Sequence, residues 1–357
     1  MNDLESLLRD DINTHGAMPF ARFMETCLFH PTLGYYNTHD PLQDFATAPE
    51  ISQLFGEMIT LWCIDVWLKL GSPDRFTLLE CGPGRGTLMA DVLRTARVAP
   101  EFLSAAQCYM LEKSPYLKAK QQATLYGQNA NWVADLRDFP NGPVIMFCNE
   151  FFDAFAVQPF VKTVNGWGMR AVGLVENNFA YAVLPAKKEH QSLFSDTVFQ
   201  EAPVGAIAEI NTCANEWIEA FDSQLNIQGG AALIIDYGYA GPELANTVQA
   251  IFDKKMSPVF KHIGDTDITA HVDFTPFETI ALRTGIHCSA LQPMGDFLQT
   301  LGIQTRAERL KANATQVQQE QIDAALHRLT ASEQMGHLFK VMCHYHKTMA
   351  PPIGCEA

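Results

Sequence analysis

Three glycines alternate with other residues in FTLLECGPGRGT, residues 76–87, directly after an apolar run that ends in Glu80. Glycine loses more backbone freedom on folding than any other residue, so Gly82, Gly84 and Gly86 require a specific reason. A glycine-rich turn between a buried strand and a helix lets the backbone approach a ligand closely. The stretch therefore predicts a small-molecule site at the carboxyl end of a strand.

The spacing of the turn distinguishes between cofactor classes. G-P-G-R-G is one residue tighter than the G-x-G-x-x-G of nicotinamide enzymes, and no phosphate-binding G-x-x-x-x-G-K-[ST] occurs. The carboxylate of Glu80 suits a ligand with an ammonium group better than one with a pyrophosphate. S-adenosylmethionine carries an ammonium group and a cationic sulfur, so we predict it as the cofactor and S-adenosylhomocysteine as the product. Pro83, which lies between two of the glycines, is also predicted to contact the cofactor. A nicotinamide dehydrogenase and a turn without any ligand are the alternatives.

The elements that would position this turn follow from the apolar pattern. Nearly continuous apolar strands alternate with helices from about residue 75, which is typical of a parallel sheet buried on both faces. The pattern predicts a Rossmann-like, doubly wound α/β sheet with helices on both faces. The predicted strands are 76–80, 107–112, 144–149 and 231–237, and the helices between them are 87–97 and 114–127.

The rest of the chain predicts additions to this core. Residues 1–72 are expected to form an N-terminal helical segment that packs on a core of residues 73–357, and a long apolar helix is expected over 48–71. Insertions are expected at about 156–228, with antiparallel hairpins, and at about 240–285, as a lid. A polar helix is expected over 305–330.

Acidic residues follow the next predicted strands. Glu112 ends the second strand, where a carboxylate can accept hydrogen bonds from both ribose hydroxyls. Asp135 follows a short third strand and could accept from the adenine amino group, with Trp132 or Leu136 as apolar cover, although Asp138 competes for this role. A solvated surface acid is the alternative for each.

The fourth strand runs into CNEFFDAF, residues 148–155, beside the glycine turn. Asn149, Glu150 and Asp153 place an amide and two carboxylates among aromatic residues. Such a group can orient and desolvate a nitrogen nucleophile. Helix capping is the alternative, and it applies more to Asp153 than to Glu150, which directly ends the apolar strand.

Composition narrows the possible partners and locations. The net charge of −15 disfavours a nucleic-acid partner. No membrane-spanning run or signal pattern is visible, so we expect a cytoplasmic protein without membrane insertion. The nine cysteines show no C-x-x-C, and His344 and His346 alone do not make a metal site, so no metal is expected.

Five motifs together resemble the MidA-like methyltransferases, a family that includes a mitochondrial methyltransferase of complex I assembly. The resemblance extends from about residue 19 to about residue 302. Its motifs are DFATAPEISQLFGE (44–57), LLECGPGRGTL (78–88), NEFFDA (149–154), IIDYGY (234–239) and DITAHVDF (267–274).

This resemblance implies a class I methyltransferase fold and the methylation of an arginine in a partner protein. It implies cofactor contacts at the glycine turn and Glu112, and a segment over 45–52, with Phe45 and Thr47, that folds over the methionine end. Glu150 would hold the guanidinium with Asn149 nearby, and Glu50 and Asp273 are further candidates. A small-molecule acceptor and a cofactor-binding assembly factor without turnover remain alternatives, and a homodimer is a further expectation.

Overall fold

A computed structural model of the chain describes residues 3–41 and 47–356.

The helices are α1 (Asp3–His15), α2 (Phe20–Phe29), α3 (Tyr35–Thr38), α4 (Ala48–Ile51), α5 (Gln53–Lys69), α6 (Thr87–Thr95), α7 (Pro100–Ala105), α8 (Pro115–Thr124), α9 (Thr197–Gln200), α10 (Thr212–Gln228), α11 (Thr275–Thr284), α12 (Met294–Thr300), α13 (Ile303–Lys311), α14 (Gln316–Thr330) and α15 (Met335–Leu338).

The strands are β1 (Met18–Pro19), β2 (Phe76–Cys81), β3 (Ala106–Leu111), β4 (Ala130–Val133), β5 (Val144–Asn149), β6 (Gln158–Thr163), β7 (Gly166–Val175), β8 (Asn178–Pro185), β9 (Ile207–Ile210), β10 (Gly230–Tyr239), β11 (Gln249–Phe252), β12 (Lys255–Met256), β13 (Asp267–Thr269), β14 (Val272–Asp273), β15 (His287–Cys288), β16 (Gln292–Pro293) and β17 (Phe339–Tyr345).

The chain divides into two units, each built from three segments. The sheet unit comprises Ala46–Phe151, Trp217–Gly238 and Pro276–Ala357, and the insertion unit comprises Met1–Phe45, Phe152–Glu216 and Tyr239–Thr275. This division differs from the expected one, because residues 46–72 group with the sheet and residues 1–45 group with the inserted segments. Helix α5 belongs to the sheet unit because its buried residues share one apolar core with β2 and α6.

The sheet unit contains the expected doubly wound sheet. Its strand order is β15–β17–β10–β5–β2–β3–β4, in which β10, β5, β2, β3 and β4 run parallel and β17 runs antiparallel to β10. From β2 the chain adds β3 and β4 on one side and then returns to add β5 on the other. The gap between the carboxyl ends of β2 and β5 is therefore the topological switch point, where open α/β sheets bind ligands.

Burial explains why the strand predictions hold. All six residues of β2 are buried, so both faces of this strand are covered. The apolar residues of α5, α6, β2, β5 and β10 form one core cluster. A strand covered on both faces needs an apolar run without alternation, which is the signal that the sequence carries.

Two long helices were predicted as continuous, and each is interrupted in the structure. The helix expected over 48–71 is broken at Ser52, which is extended (φ −164°) and whose hydroxyl accepts a hydrogen bond from the Leu54 backbone N–H at 3.2 Å. A serine in this conformation begins a new helix. The helix expected over 305–330 is likewise two helices, α13 and α14, and Thr315 caps the second of them.

The insertion unit has its own antiparallel sheet, as expected for residues 160–186. Strands β8, β7, β6 and β9 are neighbours in that order, and β1 also pairs with β7. The turn between β7 and β8 places Glu176 and Asn177 at positive φ, which suits a tight hairpin. A smaller sheet joins β12, β11 and β13.

Candidate active site

The glycine turn follows β2 at the switch point. Gly82, Gly84 and Gly86 have φ values of +65°, +53° and +82°, a region that other residues rarely adopt. Gly86 is also the N-cap of α6. A Cβ on Gly82 would lie 2.8 Å from the ring of Phe151, so this position has no room for a side chain. All three glycines therefore serve the backbone conformation of the turn, and Gly82 also permits a close approach.

Glu80 lies beneath this turn and is only 4% exposed. Burial raises the pKa of its carboxyl well above the ordinary value, while the Met89 backbone N–H opposes the shift. Its Oε2 atom is buried without a hydrogen-bond partner. A buried acceptor without a donor is unfavourable, and a cationic or N–H donor would relieve it.

Glu112 directly follows β3, and its carboxylate accepts hydrogen bonds from residues that come after it in the chain. The Ser114 backbone N–H reaches Oε1 at 2.7 Å, and the Gln121 side-chain amide reaches Oε2 at 3.0 Å. Burial raises the pKa of Glu112, and these donors act against the rise. Each carboxylate oxygen can accept more than one hydrogen bond, so this side chain can still receive hydroxyl donors.

Gln121 connects the parts of the site, although no motif in the sequence marks it. Its amide nitrogen donates to the Gly84 carbonyl at 2.9 Å as well as to Glu112, and its oxygen accepts from the Trp132 indole at 2.8 Å. The side chain is fully buried on α8. A polar residue on the inward face of that helix was the available signal.

Asp135 is half-buried and lies shortly after β4. Its carboxylate pairs with the guanidinium of Arg137 at 2.7 and 2.8 Å, and these hydrogen bonds lower the pKa of Asp135 below its usual range. Leu136 beside it is buried and Trp132 is half-buried. The apolar cover is therefore present, whereas the carboxylate already has a cationic partner.

The second loop at the switch point carries Asn149, Glu150 and Phe151. Glu150 has φ +54°, a conformation that is uncommon for a residue other than glycine. Its backbone N–H donates to the Ile235 carbonyl at 3.0 Å, and its Oε1 accepts from the Asn149 amide at 2.8 Å. The fully buried Asp236 accepts the Phe151 backbone N–H at 3.1 Å.

The segment before α5 contributes Thr47 and Glu50. Thr47 precedes α4, and its carbonyl accepts the Glu50 backbone N–H at 2.9 Å. The Glu50 carboxylate accepts the hydroxyl of Thr87, the first residue of α6. Glu50 therefore lies at the end of the glycine turn. Phe45 lies outside the described residues, and Asp153 and Asp273 belong to the insertion unit.

These residues fit the predicted cofactor. The unsatisfied Oε2 of Glu80 can receive an ammonium group, and the glycine turn presents backbone where side chains are excluded. Glu112 supplies acceptors for hydroxyl groups at the end of the neighbouring strand. Among residues 3–41 and 47–356, no group of three or more His, Cys, Asp or Glu side chains is arranged to hold a metal ion. Within the same ranges, no helix has the length and apolar character to cross a membrane.

Comparison with known proteins identifies the family to which this chain belongs. A model of S-adenosyl-L-methionine-dependent methyltransferases matches residues 58–292. The mitochondrial protein arginine methyltransferase NDUFAF7 homolog of Drosophila melanogaster is 32% identical, over 97% of this chain and 86% of that protein. The mitochondrial protein arginine methyltransferase NDUFAF7 of Xenopus tropicalis is 31% identical, over 96% of this chain and 86% of that protein.

Two solved structures from Burkholderia thailandensis share the fold. An uncharacterised protein superposes with a TM-score of 0.86 at 25% identity, over 99% of this chain and 94% of that chain. A second protein, solved with bound S-adenosyl-homocysteine, has a TM-score of 0.85 at 24% identity and the same coverage. The predicted class I methyltransferase fold is confirmed.

The comparisons correct one expectation. The relatives are mitochondrial by name, and this finding overturns the expectation of a cytoplasmic protein. That expectation rested on the absence of a targeting pattern and on acidic composition, neither of which identifies a compartment. The comparisons do not bear on homodimer formation, which stays a prediction.

Proposed function

Because the chain belongs to the MidA-like family of S-adenosylmethionine-dependent methyltransferases, we propose that it methylates an arginine side chain of a partner protein. The names of the relatives support the arginine acceptor. The observation in this chain that carries the proposal is the conformation of Glu150, which ends β5 at the switch point with φ +54°.

A left-handed backbone at a non-glycine residue costs on the order of 1–3 kcal/mol and persists only where the surroundings impose it. Here the Ile235 carbonyl and the Asp236 carboxylate hold the two backbone N–H groups of Glu150 and Phe151. Asn149 holds the side chain. Such a fixed carboxylate suits a role in positioning a substrate.

An arginine acceptor sets a clear chemical requirement, because its guanidinium is protonated in essentially all proteins. A carboxylate that accepts one of its N–H groups concentrates the positive charge near that nitrogen and leaves another nitrogen more nucleophilic. Glu150 is the carboxylate proposed for this role. It can also take up the proton that the methylated nitrogen must lose.

The cofactor, when bound, supplies a methyl group on a positively charged sulfur. The residues of the chain orient the donor and the acceptor and exclude water. The aromatic ring of Phe151, which packs edge-on against Trp217 at 5.1 Å, supplies an apolar wall beside the glycine turn. The residues proposed to hold the cofactor are Glu80, Gly82, Pro83, Gly84, Gly86, Glu112, Asp135 and Thr47, with Phe45 retained from the sequence.

The test is transfer of a labelled methyl group from S-adenosylmethionine into a lysate from source cells that lack the protein. Label in a protein band that hydrolyses to methylarginine is the expected result. Label confined to acid-soluble material would replace the proposal with a small-molecule acceptor. Absence of transfer despite intact cofactor binding would leave an assembly factor without turnover.

Glu150→Gln and Glu50→Gln form a matched pair for the catalytic assignment, because both remove one charge from a residue near the switch point. We expect Glu150→Gln to bind S-adenosylhomocysteine normally and to lose transfer by ~100-fold or more, as expected when a charged group that orients the reacting atoms is removed. Glu50→Gln, whose carboxylate contacts Thr87, should lose less. Full transfer by Glu150→Gln would refute the assignment.

A further inference from the structure

A cysteine, a histidine and an aspartate come together in the sheet unit, and none of the three is assigned to the methyl-transfer site. Strands β15 and β17 place Cys288 directly opposite His344. Opposite residues of an antiparallel pair project from the same face, so these side chains are neighbours. Asp222 of α10 lies on the other side of the imidazole, with its carboxylate oxygens 2.8 and 3.0 Å from Nδ1.

The two ring nitrogens of His344 have different environments. Nδ1 pairs with Asp222, and both of these side chains are fully buried. Nε2 is also buried and makes no hydrogen bond. A structural ion pair accounts for Nδ1 but leaves Nε2 unexplained, since a buried polar atom without a partner is unfavourable. A negatively charged neighbour would satisfy it.

The charge of His344 also favours a negatively charged neighbour at Nε2. Burial alone would lower its pKa, but the Asp222 carboxylate outweighs burial and the Cys288 sulfur adds to the effect, so the pKa is raised to about 10. The imidazole is therefore protonated at neutral pH. It can stabilise an anion beside it, but it is not free to act as a base.

Cys288 is half-buried, and at present its thiol donates weakly to the Ser289 carbonyl at 3.3 Å. Among the described residues, five of the other free cysteines are buried, and Cys213 is exposed. Cys213 lies near carboxylates and not beside an imidazole, and burial together with the nearby Glu25 and Glu216 raises the pKa of its thiol. The chain thus carries an internal control.

We propose that Cys288 is a nucleophilic thiol beside the imidazole of the Asp222–His344 couple, and a site of S-thiolation by small disulfides such as oxidised glutathione. An imidazolium next to a partly exposed thiol is a recognised environment for a reactive cysteine. The proposal is independent of the methyl acceptor.

The reaction is a thiol–disulfide exchange. Cys288 loses its proton to solvent, and its thiolate attacks one sulfur of the small disulfide. The S–S bond of that disulfide breaks as the new bond to Cys288 forms. The released half leaves as a thiolate and takes up a proton, so Cys288 is oxidised and half of the small disulfide is reduced.

The first test uses the wild-type protein and a limiting amount of iodoacetamide at neutral pH, with alkylation measured at each cysteine by peptide mass spectrometry. Cys343 and Cys355 are joined in a disulfide and do not react. Although Cys213 is more exposed, we expect Cys288 to react ~10-fold faster. A faster reaction at Cys213 would overturn the proposal, and no variant is needed to see it.

The second test uses Asp222→Asn, which can still accept from the imidazole but removes the charge that keeps it protonated. The rate at Cys288 should fall by ~10-fold, while the rate at Cys213 stays unchanged. Oxidised glutathione should add one glutathionyl group at Cys288, removable with dithiothreitol. An unchanged rate at Cys288 in Asp222→Asn, or no adduct there, would contradict the proposal.

Discussion

At the residue scale, backbone conformation and close contact coincide at Gly82. Its φ of +65° excludes most side chains, and the Phe151 ring excludes a Cβ. We expect Gly82→Ala to weaken binding of S-adenosylhomocysteine and to lower the free energy of unfolding by about 2–4 kcal/mol, because it combines backbone strain with overpacking. Urea denaturation and calorimetry measure the two effects.

Gly127→Ala is the matched control for that prediction. Gly127 has φ +79°, but a Cβ there would meet no atom within 4 Å. Gly127→Ala should therefore lower the free energy of unfolding by about 1–2 kcal/mol, through backbone strain alone, and leave cofactor binding unchanged. Equal losses of stability in the two variants would show that the Phe151 contact does not constrain the turn.

Gln121 is a single side chain on which three parts of the site depend. Gln121→Leu keeps the approximate shape but leaves the Trp132 indole, the Gly84 carbonyl and a Glu112 oxygen without this partner. We expect a loss of about 2–4 kcal/mol in unfolding free energy and weaker binding of S-adenosylhomocysteine. The exposed Gln122→Leu on the same helix should change neither, and equal effects would contradict this role.

The buried Asp222–His344 pair gives a pH dependence with a definite sign. Because the pKa of His344 is raised to about 10 in the folded state, above its unfolded value of about 6.5, the pair stabilises the fold fully below about pH 6.5. This contribution is lost as pH rises towards 10, by up to about 1.4 kcal/mol per unit. Unfolding free energies measured over that range should show the decline in wild type and not in Asp222→Asn.

The residue types of the site were readable from the sequence, but their interactions were not. The glycines and Glu112 follow apolar strands, so their place at the sheet edge could be predicted. The left-handed conformation of Glu150 has no sequence signal, because it depends on Ile235 and Asp236 far along the chain. The roles of the proposed residues in binding and catalysis stay predictions.

At the element scale, Ser52 separates α4 from α5 and thereby directs Glu50 toward Thr87. We expect Ser52→Ala to lower the free energy of unfolding by about 1 kcal/mol, because the Leu54 N–H loses its capping oxygen. Ser104→Ala, at an exposed position inside α7, should be neutral. The two variants are compared by their thermal unfolding midpoints. Similar midpoints would mean that the Ser52 cap does not stabilise the fold.

Strands marked by a continuous apolar run could be predicted from the sequence. The apolar runs predicted β2, β3, β5 and β10 to within a few residues, because strands covered on both faces need such runs. The break at Ser52 was missed because the residues on both sides are apolar and helical, so periodicity alone continues through it. The grouping of residues 1–45 with the insertions depends on long-range contacts, which local patterns do not encode.

At the scale of the whole molecule, the net charge of −15 bears on the acceptor. An arginine-bearing partner that is basic near its target should be attracted electrostatically, so kcat/KM should fall as ionic strength rises from ~0.05 to ~0.5 M. Binding of S-adenosylhomocysteine, which has no net charge, is the control and should change little. Transfer that is insensitive to salt would argue against electrostatic recruitment.

The strand order has a consequence for synthesis on the ribosome. Strand β10 is complete by residue 239, yet its antiparallel neighbour β17 begins only at Phe339. Until about a hundred further residues have been translated, residues 231–237 of β10 lack their β17 partner, and an open strand edge is a template for association with other chains. A ribosome that stalls within this interval would release an aggregation-prone product, so nascent chains of this protein should depend on chaperones late in translation.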